Sequence, residues 1–157
     1  TFLEFKDYST AIDVNPNYIT PKMLQMRLQK IMDEYVAGVA TYYQTNGKML
    51  ERGLHYLSML KEDSLHMRAK DLHELMRCWE NVHRMWQAEV HVRSILFREE
   101  TRWPGYYFRA DQPSINNKDW LCFVNARWNP HTKGWEMSKK PIVRIFPDPP
   151  EHELLGG

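Results

Sequence analysis

The stretch DLHELMRCWENVHRMWQAEVHVRSILFREE, from Asp71 to Glu100, is the longest periodic segment of the chain. Leu72, Leu75, Trp79, Val82, Trp86, Val90 and Phe97 recur at helical spacing, while Arg77, Arg84 and Glu99 fall on the other side. The pattern predicts one long amphipathic helix with that stripe buried. Such a stripe needs other apolar faces beside it, and the preceding sequence supplies them. Leu50, Leu54, Leu57 and Leu60 mark a second helix, which loses its pattern near Asp63-Ser64. Gly53 within it costs up to ~1 kcal/mol relative to alanine and suits a close helix contact. Further back, Thr20-Pro21 is a helix start, an N-cap residue followed by proline at the first helical position. Leu24, Leu28, Ile31, Tyr35, Val39 and Tyr42 then repeat at helical spacing up to a stop at Asn46-Gly47. Leu24, Ile31, Leu54, Trp79 and Trp86 are the expected core.

After the long helix, Trp103-Pro104-Gly105 closes the helical part. Trp120 to Arg127 and Trp135 to Ser138 read as strands of a hairpin around Asn129 to Gly134. Pro141 to Pro150 is proline-rich and reads as extended, and Glu151 to Gly157 as a loose tail. The expected fold is therefore mainly α: a three-helix bundle followed by a β-hairpin and an extended C-terminal tail. Its expected boundaries are an extended lead-in over 1–19, the bundle over 20–103, and the hairpin and tail over 104–157, packed on the bundle or on a partner.

The bulk numbers narrow the function classes. The 157 residues fit one domain with a sizeable core. With 21 basic and 20 acidic residues, the net charge of +1 gives no general electrostatic reason to bind nucleic acid or an anionic membrane. No apolar run approaches the ~20 residues of a membrane span, and Thr1 to Tyr8 lacks the apolar core of a signal peptide. The first residue is threonine and no methionine precedes Met23, so the chain reads as a fragment or a processed product. Cys78 and Cys122 are isolated, which suits a reducing cytoplasm better than a stapled secreted domain, although one disulfide between them stays open.

Most candidate chemistries are incomplete. Glu80-x-x-His83 places two metal-ligating groups on one helix face, as in di-iron bundles, but such sites need a second motif and two further carboxylates. The nearest second motif, Asp63-x-x-His66, sits where the second helix fades. His83 and His91 are about two turns apart, too far to share an ion, and His73 and Cys78 are poorly placed. No GxSxG, GxGxxG or GxxxxGK[ST] occurs, so neither a nucleophile elbow nor a phosphate cradle is expected. The dense feature is FREETRWPGYYFRAD, from Phe97 to Asp111. Arg98, Arg102, Trp103, Tyr106, Tyr107 and Arg109 combine bidentate donors with large rings, the makings of a docking surface. The competing reading is an internal ion and aromatic cluster locking the hairpin onto the bundle, and a less favoured third is direct contact with an anionic substrate.

At these residues a family resemblance emerges. Asp71 to Glu89, Leu96 to Pro113 and Asn117 to Ile142 resemble the C-terminal part of adenylylsulfate reductase alpha subunits, and the likeness runs from about Asp13 to Ile145. The wider succinate dehydrogenase and fumarate reductase flavoproteins carry Ser-Arg-Gly-Ala-His and then Arg-Glu-Asp after a three-helix domain. Thr101-Arg102 and Arg109-Ala110-Asp111 resemble those segments, and Trp120 a tryptophan that follows them. Trp103-Pro104-Gly105 replaces Gly-Ala-His and favours the adenylylsulfate branch.

The resemblance implies an FAD-containing alpha subunit whose flavin domain precedes this region, with a beta subunit carrying [4Fe-4S] clusters. Together these interconvert adenylylsulfate with AMP and sulfite in the cytoplasm, in sulfate reduction or the reverse. It implies an oxidoreductase of which this piece alone is not competent, holding no catalytic, cofactor or metal residue of its own. Its implied role is to pack against the flavin domain and help seat the iron–sulfur subunit. A free-standing interaction module without redox activity is the first rival, and a small metalloenzyme using Glu80 and His83 the second.

Overall fold

A computed structural model describes residues 18–102 and 106–143. Helix α1 (Pro21–Tyr35) begins as the sequence predicts, with the Thr20 Oγ1 accepting the Met23 N–H at 3.2 Å and Pro21 at the first helical position. It ends sooner than predicted. Ala37 adopts a left-handed φ of 58°, and the Asp33 carboxylate accepts the Ala40 N–H at 3.0 Å. A short 3-10 turn (Val39–Thr41) follows, then left-handed Tyr42 and Tyr43 and strand β1 (Gln44–Thr45). Asn46 does not stop the first helix. It caps the second, accepting the Met49 N–H at 3.0 Å on its side chain. The Tyr43 and Thr45 carbonyls instead accept from the distant Phe108 and Ala110 N–H groups, an arrangement that local periodicity does not register.

Helix α2 (Gly47–Ser64) buries Leu50, Leu57 and Leu60, with Leu54 half-buried against the same core. Gly53 is buried where α1 ends. A Cβ there would sit 3.2 Å from the Tyr35 Cβ and 3.4 Å from a Val36 methyl, so the missing side chain permits the close contact that the sequence suggested. Ile19 bridges to Met67 in the loop that follows α2, its N–H donating to the His66 carbonyl and its own carbonyl accepting from the Arg68 N–H.

Helix α3 (Leu72–Phe97) is the long one. Asp71 caps it by accepting the Glu74 N–H at 2.8 Å, and Glu74 reaches back to the Lys70 N–H. Its buried face is Cys78, Asn81, Met85, Ala88, Val92 and Ile95. This corrects the expected stripe. Trp79 and Trp86 are 45% and 50% exposed and Leu72 is 83% exposed, whereas Leu24 is buried and Ile31 and Leu54 pack partly buried on the core. The physical reason is distance: helices approach to 8–10 Å only where contact side chains are small or slender. Cys78 and Ala88 meet that need, and the indoles are displaced to the flank. Asn81 secures the contact by donating to the Pro21 carbonyl at 2.6 Å.

The chain then forms strand β2 (Phe108–Arg109), which pairs in parallel with β1, and a one-turn helix α4 (Asn117–Trp120) capped by Asn116. Trp120, predicted to open a strand, closes this turn and is buried. Strands β3 (Cys122–Asn129) and β4 (Gly134–Pro141) form the antiparallel hairpin, with Trp128 opposite Trp135 at 5.3 Å between ring centroids. The turn is held by Asn129, whose Oδ1 accepts the His131 and Thr132 N–H groups, and by left-handed Lys133. The architecture is the predicted one: three mutually packed helices and a small hairpin. The lead-in up to residue 17, Trp103-Pro104-Gly105 and the tail from residue 144 lie outside the described residues.

Candidate functional site: the arginine junction

Three arginines gather where α3 ends. Arg98 is the C-cap residue of α3 and leaves the helix with extended backbone. Its guanidinium donates to the Glu100 carboxylate at 2.5 Å and to the carbonyls of Trp120 at 2.9 Å and Cys122 at 2.7 Å. Arg102 donates to both Glu100 oxygens, at 2.6 and 2.9 Å, and to the Asn117 side chain at 3.1 Å. Glu100 also accepts the Asn116 N–H at 2.8 Å and is fully buried. Burial alone would raise its carboxyl, but hydrogen bonds from Arg102, the Asn116 N–H and Arg98 outweigh that and hold it below the usual carboxylate range.

Arg109 forms a second lock. One guanidinium nitrogen donates to the carbonyls of Ile95, Leu96 and Arg98, each at 3.0 Å. These are the acceptors that a helix C-terminus leaves open, and a cation there complements the helix dipole. Its other nitrogens hold Asp111 at 3.1 and 2.5 Å, and Asp111 accepts the Gly47 N–H at the start of α2 at 3.0 Å. The Arg109 hydrogen bond is the main reason the Asp111 carboxyl lies below its usual range. One ion pair thus ties the end of α3 to the beginning of α2. Thr101 completes the junction, accepting the Arg109 N–H at 3.0 Å and donating to the Gln112 carbonyl at 2.8 Å.

Of the six residues singled out in the sequence, Arg98, Arg102 and Arg109 therefore converge, with their donors engaged inside the chain. Tyr107 lies half-buried against the core, and burial raises its phenol. Tyr106 is 79% exposed beside them. Trp103 lies outside the described residues. Glu100, Thr101 and Asp111 were not among the docking candidates, although Glu100, with an arginine two residues to each side, is a legible signal for such a cluster. A groove of about 710 Å³ opens between α3 and β3, lined by His91, Tyr107, Trp120 and Phe123 with Arg98 and Arg102 on its wall. Their engagement with Glu100 makes it a mainly apolar cleft rather than an anion cradle.

The other candidates are placed apart. Glu80 accepts from Arg77 at 3.3 Å and Arg84 at 3.4 Å, and His83 sits between Trp79 and Trp86 at 4.6 and 5.8 Å. Asp63 pairs with Arg27 at 2.7 Å. Among the described residues no three His, Cys, Asp or Glu side chains gather as a metal site. Cys78 is buried, and burial pushes its thiol up to about 11. The described glycines serve a turn, a helix start, a helix contact and the hairpin; none builds a strand–turn–helix dinucleotide cradle. These glycines do not form a cradle for a flavin dinucleotide. Among the described residues no helix is long and apolar enough to cross a membrane.

The fumarate reductase flavoprotein C-terminal family matches residues 25–151. The chain belongs to that family. Among curated proteins, the alpha subunit of adenylylsulfate reductase from Megalodesulfovibrio gigas is 49% identical over 142 residues, 90% of this chain and 21% of that protein. A solved adenosine-5-phosphosulfate reductase in complex with sulfite, as a covalent adduct, superposes with a TM-score of 0.81 at 56% identity. The adenylylsulfate reductase of the hyperthermophile Archaeoglobus fulgidus does so equally, each match covering 92% of this chain and 22% of that one. E. coli quinol fumarate reductase matches at a TM-score of 0.73 and 16% identity over 93% of this chain and 24% of that one, a likeness of fold alone. The chain thus spans about a fifth of the adenylylsulfate reductase chains it matches. Those relatives carry this family unit as part of a longer chain, which does not favour a free-standing module.

Proposed function

We propose that this chain is the C-terminal helical part of the FAD-containing alpha subunit of an adenylylsulfate reductase. The full enzyme passes two electrons to adenylylsulfate, giving AMP and sulfite, or runs the reverse reaction, in the cytoplasm. The observation that carries the reading is identity: 49% and 56% to adenylylsulfate reductases across nine tenths of the chain, against 16% to a fumarate reductase of the same fold. Flavin sits in the domains that precede this unit, and [4Fe-4S] clusters in the beta subunit. This chain supplies no reacting group. Its arginine junction fixes Arg98 to Arg102 and Arg109 to Asp111 at the end of the bundle, close in sequence to Tyr106. The surface offered to the flavin domain and the iron–sulfur subunit centres on Tyr106, with Arg98, Arg102, Tyr107 and Arg109 packed behind it. Tyr106 is the exposed anchor, and the arginines are its rigid support.

The test is to mix the purified chain with separately expressed flavin domain and iron–sulfur subunit and follow association by sedimentation. A complex weakened by Tyr106→Ala supports the surface, whereas no association under any redox condition counts strongly against it. Full-length subunit assembled with its partner should turn over adenylylsulfate; turnover of a dicarboxylate such as succinate instead would overturn the branch assignment.

A further inference from the structure

Trp86 on α3, Trp128 on β3 and Trp135 on β4 surround a cavity of about 240 Å³ where the hairpin meets the bundle, and Lys61 on α2 and Glu89 on α3 complete its lining. It shares no residue with the arginine-walled groove between α3 and β3. Trp128 and Trp135 stand opposite each other on the two strands, with 5.3 Å between ring centroids and 68° between ring planes, so one indole turns its edge to the other. Trp86 and Trp128 are 50% and 42% exposed, so the aromatic walls reach the surface, where a molecule from solution can enter. Indole walls favour a flat aromatic guest, which they meet by offset stacking or edge to face. The polar atoms select what that guest carries. The Trp135 Nε1 is buried and donates to no acceptor among the described residues, a costly state unless something supplies one. Lys61 forms no ion pair among the described residues. Glu89, by contrast, is already held by Arg93, whose Nε and Nη2 each lie 2.9 Å from one carboxylate oxygen. The groups left unmet are therefore donors, one neutral and one cationic.

We propose that this cavity binds a small aromatic carboxylate of two fused rings, with the rings among the three indoles and the carboxylate facing the Trp135 Nε1 and the Lys61 ammonium. Size sets the number of rings, since an apolar cavity of about 150 Å³ takes up benzene and this one is larger. An organic cation, the other common guest of an aromatic enclosure, is disfavoured: Lys61 would repel it, and Glu89 is already neutralised by Arg93. The inference stands on these five side chains and does not depend on the reductase reading.

The probe is 2-naphthoate, followed by equilibrium dialysis against the full-length polypeptide in its native assembly, with and without an excess of AMP and sulfite to fill the substrate site of a reductase. Saturable binding at one site is expected under both conditions. Naphthalene, with the same rings and no acceptor, should bind about tenfold more weakly. Trp135→Phe keeps an aromatic wall but removes the N–H, and should weaken 2-naphthoate about tenfold while leaving naphthalene unchanged. Lys61 is exposed, so Lys61→Gln spares the fold; it should weaken 2-naphthoate several-fold and flatten the salt dependence of its affinity. No binding by the native assembly overturns the proposal. So does naphthalene binding as tightly as 2-naphthoate, or an affinity unchanged by both substitutions. Binding that vanishes when AMP and sulfite are present belongs to the substrate site and equally overturns it. An assembly that binds 2-naphthoate as expected but does not turn over adenylylsulfate would sink the reductase reading and leave this one standing.

Discussion

Glu100 is the residue on which the junction turns, because it is a fully buried carboxylate facing two guanidinium groups that are themselves largely buried. Removing one partner of such a cluster leaves uncompensated charge in a low-dielectric site, at a cost of about 3–5 kcal/mol. Glu100→Gln should therefore lower the denaturant midpoint by that order, while Glu99→Gln, on the neighbouring residue without these partners, should change it little. The pH dependence follows from the depressed carboxyl. Its stabilisation is fully present above the unfolded value of about 4.3 and is lost as pH falls through the lower folded value. The gap between the native protein and Glu100→Gln should be constant near neutrality and close in acid; a gap that widens there would contradict the ion cluster. Thiol chemistry gives a second check. Cys78 is fully buried and its thiol is raised, so at pH 8 it should resist an aromatic disulfide reagent until the fold opens, and modification at the rate of a free thiol would show the core to be loose.

Elements meet at two close contacts, and each predicts a substitution. Gly53 lets the end of α1 lie on α2, with neighbours 3.2 and 3.4 Å from the missing Cβ. Gly53→Val pushes a branched side chain into Tyr35 and Val36 and should cost about 1–3 kcal/mol, read as a lower thermal midpoint. At the other end, Arg109 joins three terminal carbonyls of α3 to the start of α2 through Asp111. Arg109→Lys keeps the charge but not the planar fork, and should lose about 1–3 kcal/mol as carbonyls or Asp111 go unpaired. If lysine matched arginine in stability, the fork geometry would not matter. The short parallel pair of β1 and β2 belongs to the same joint, since Thr45 and Arg109 lie in register and both are buried.

For the whole molecule, the bundle and hairpin share a boundary rather than a linker. Arg98 binds the carbonyls on which β3 begins, Phe97 stacks edge-on against Trp120, and the Lys139 ammonium lies 3.4 Å from the Trp120 ring centre. Helix content by circular dichroism and tryptophan fluorescence should consequently be lost in one coincident transition, and two separated transitions would show the hairpin to be an independent unit. The sequence by itself determined the three long helices, the cap at Thr20, the hairpin and the family, because caps, turns and long matched blocks are local or cumulative signals. Only the tertiary structure decided the rest. It ended α1 at Tyr35, since the pairing of Thr45 with Arg109 spans the whole bundle and leaves no local trace. It chose the Cys78-to-Ile95 face of α3 over the tryptophan face, because close helix contact depends on slender side chains and not on summed hydrophobicity. It also turned the arginines of FREETRWPGYYFRAD inward, because three helix-end carbonyls and a buried Glu100 were there to receive them.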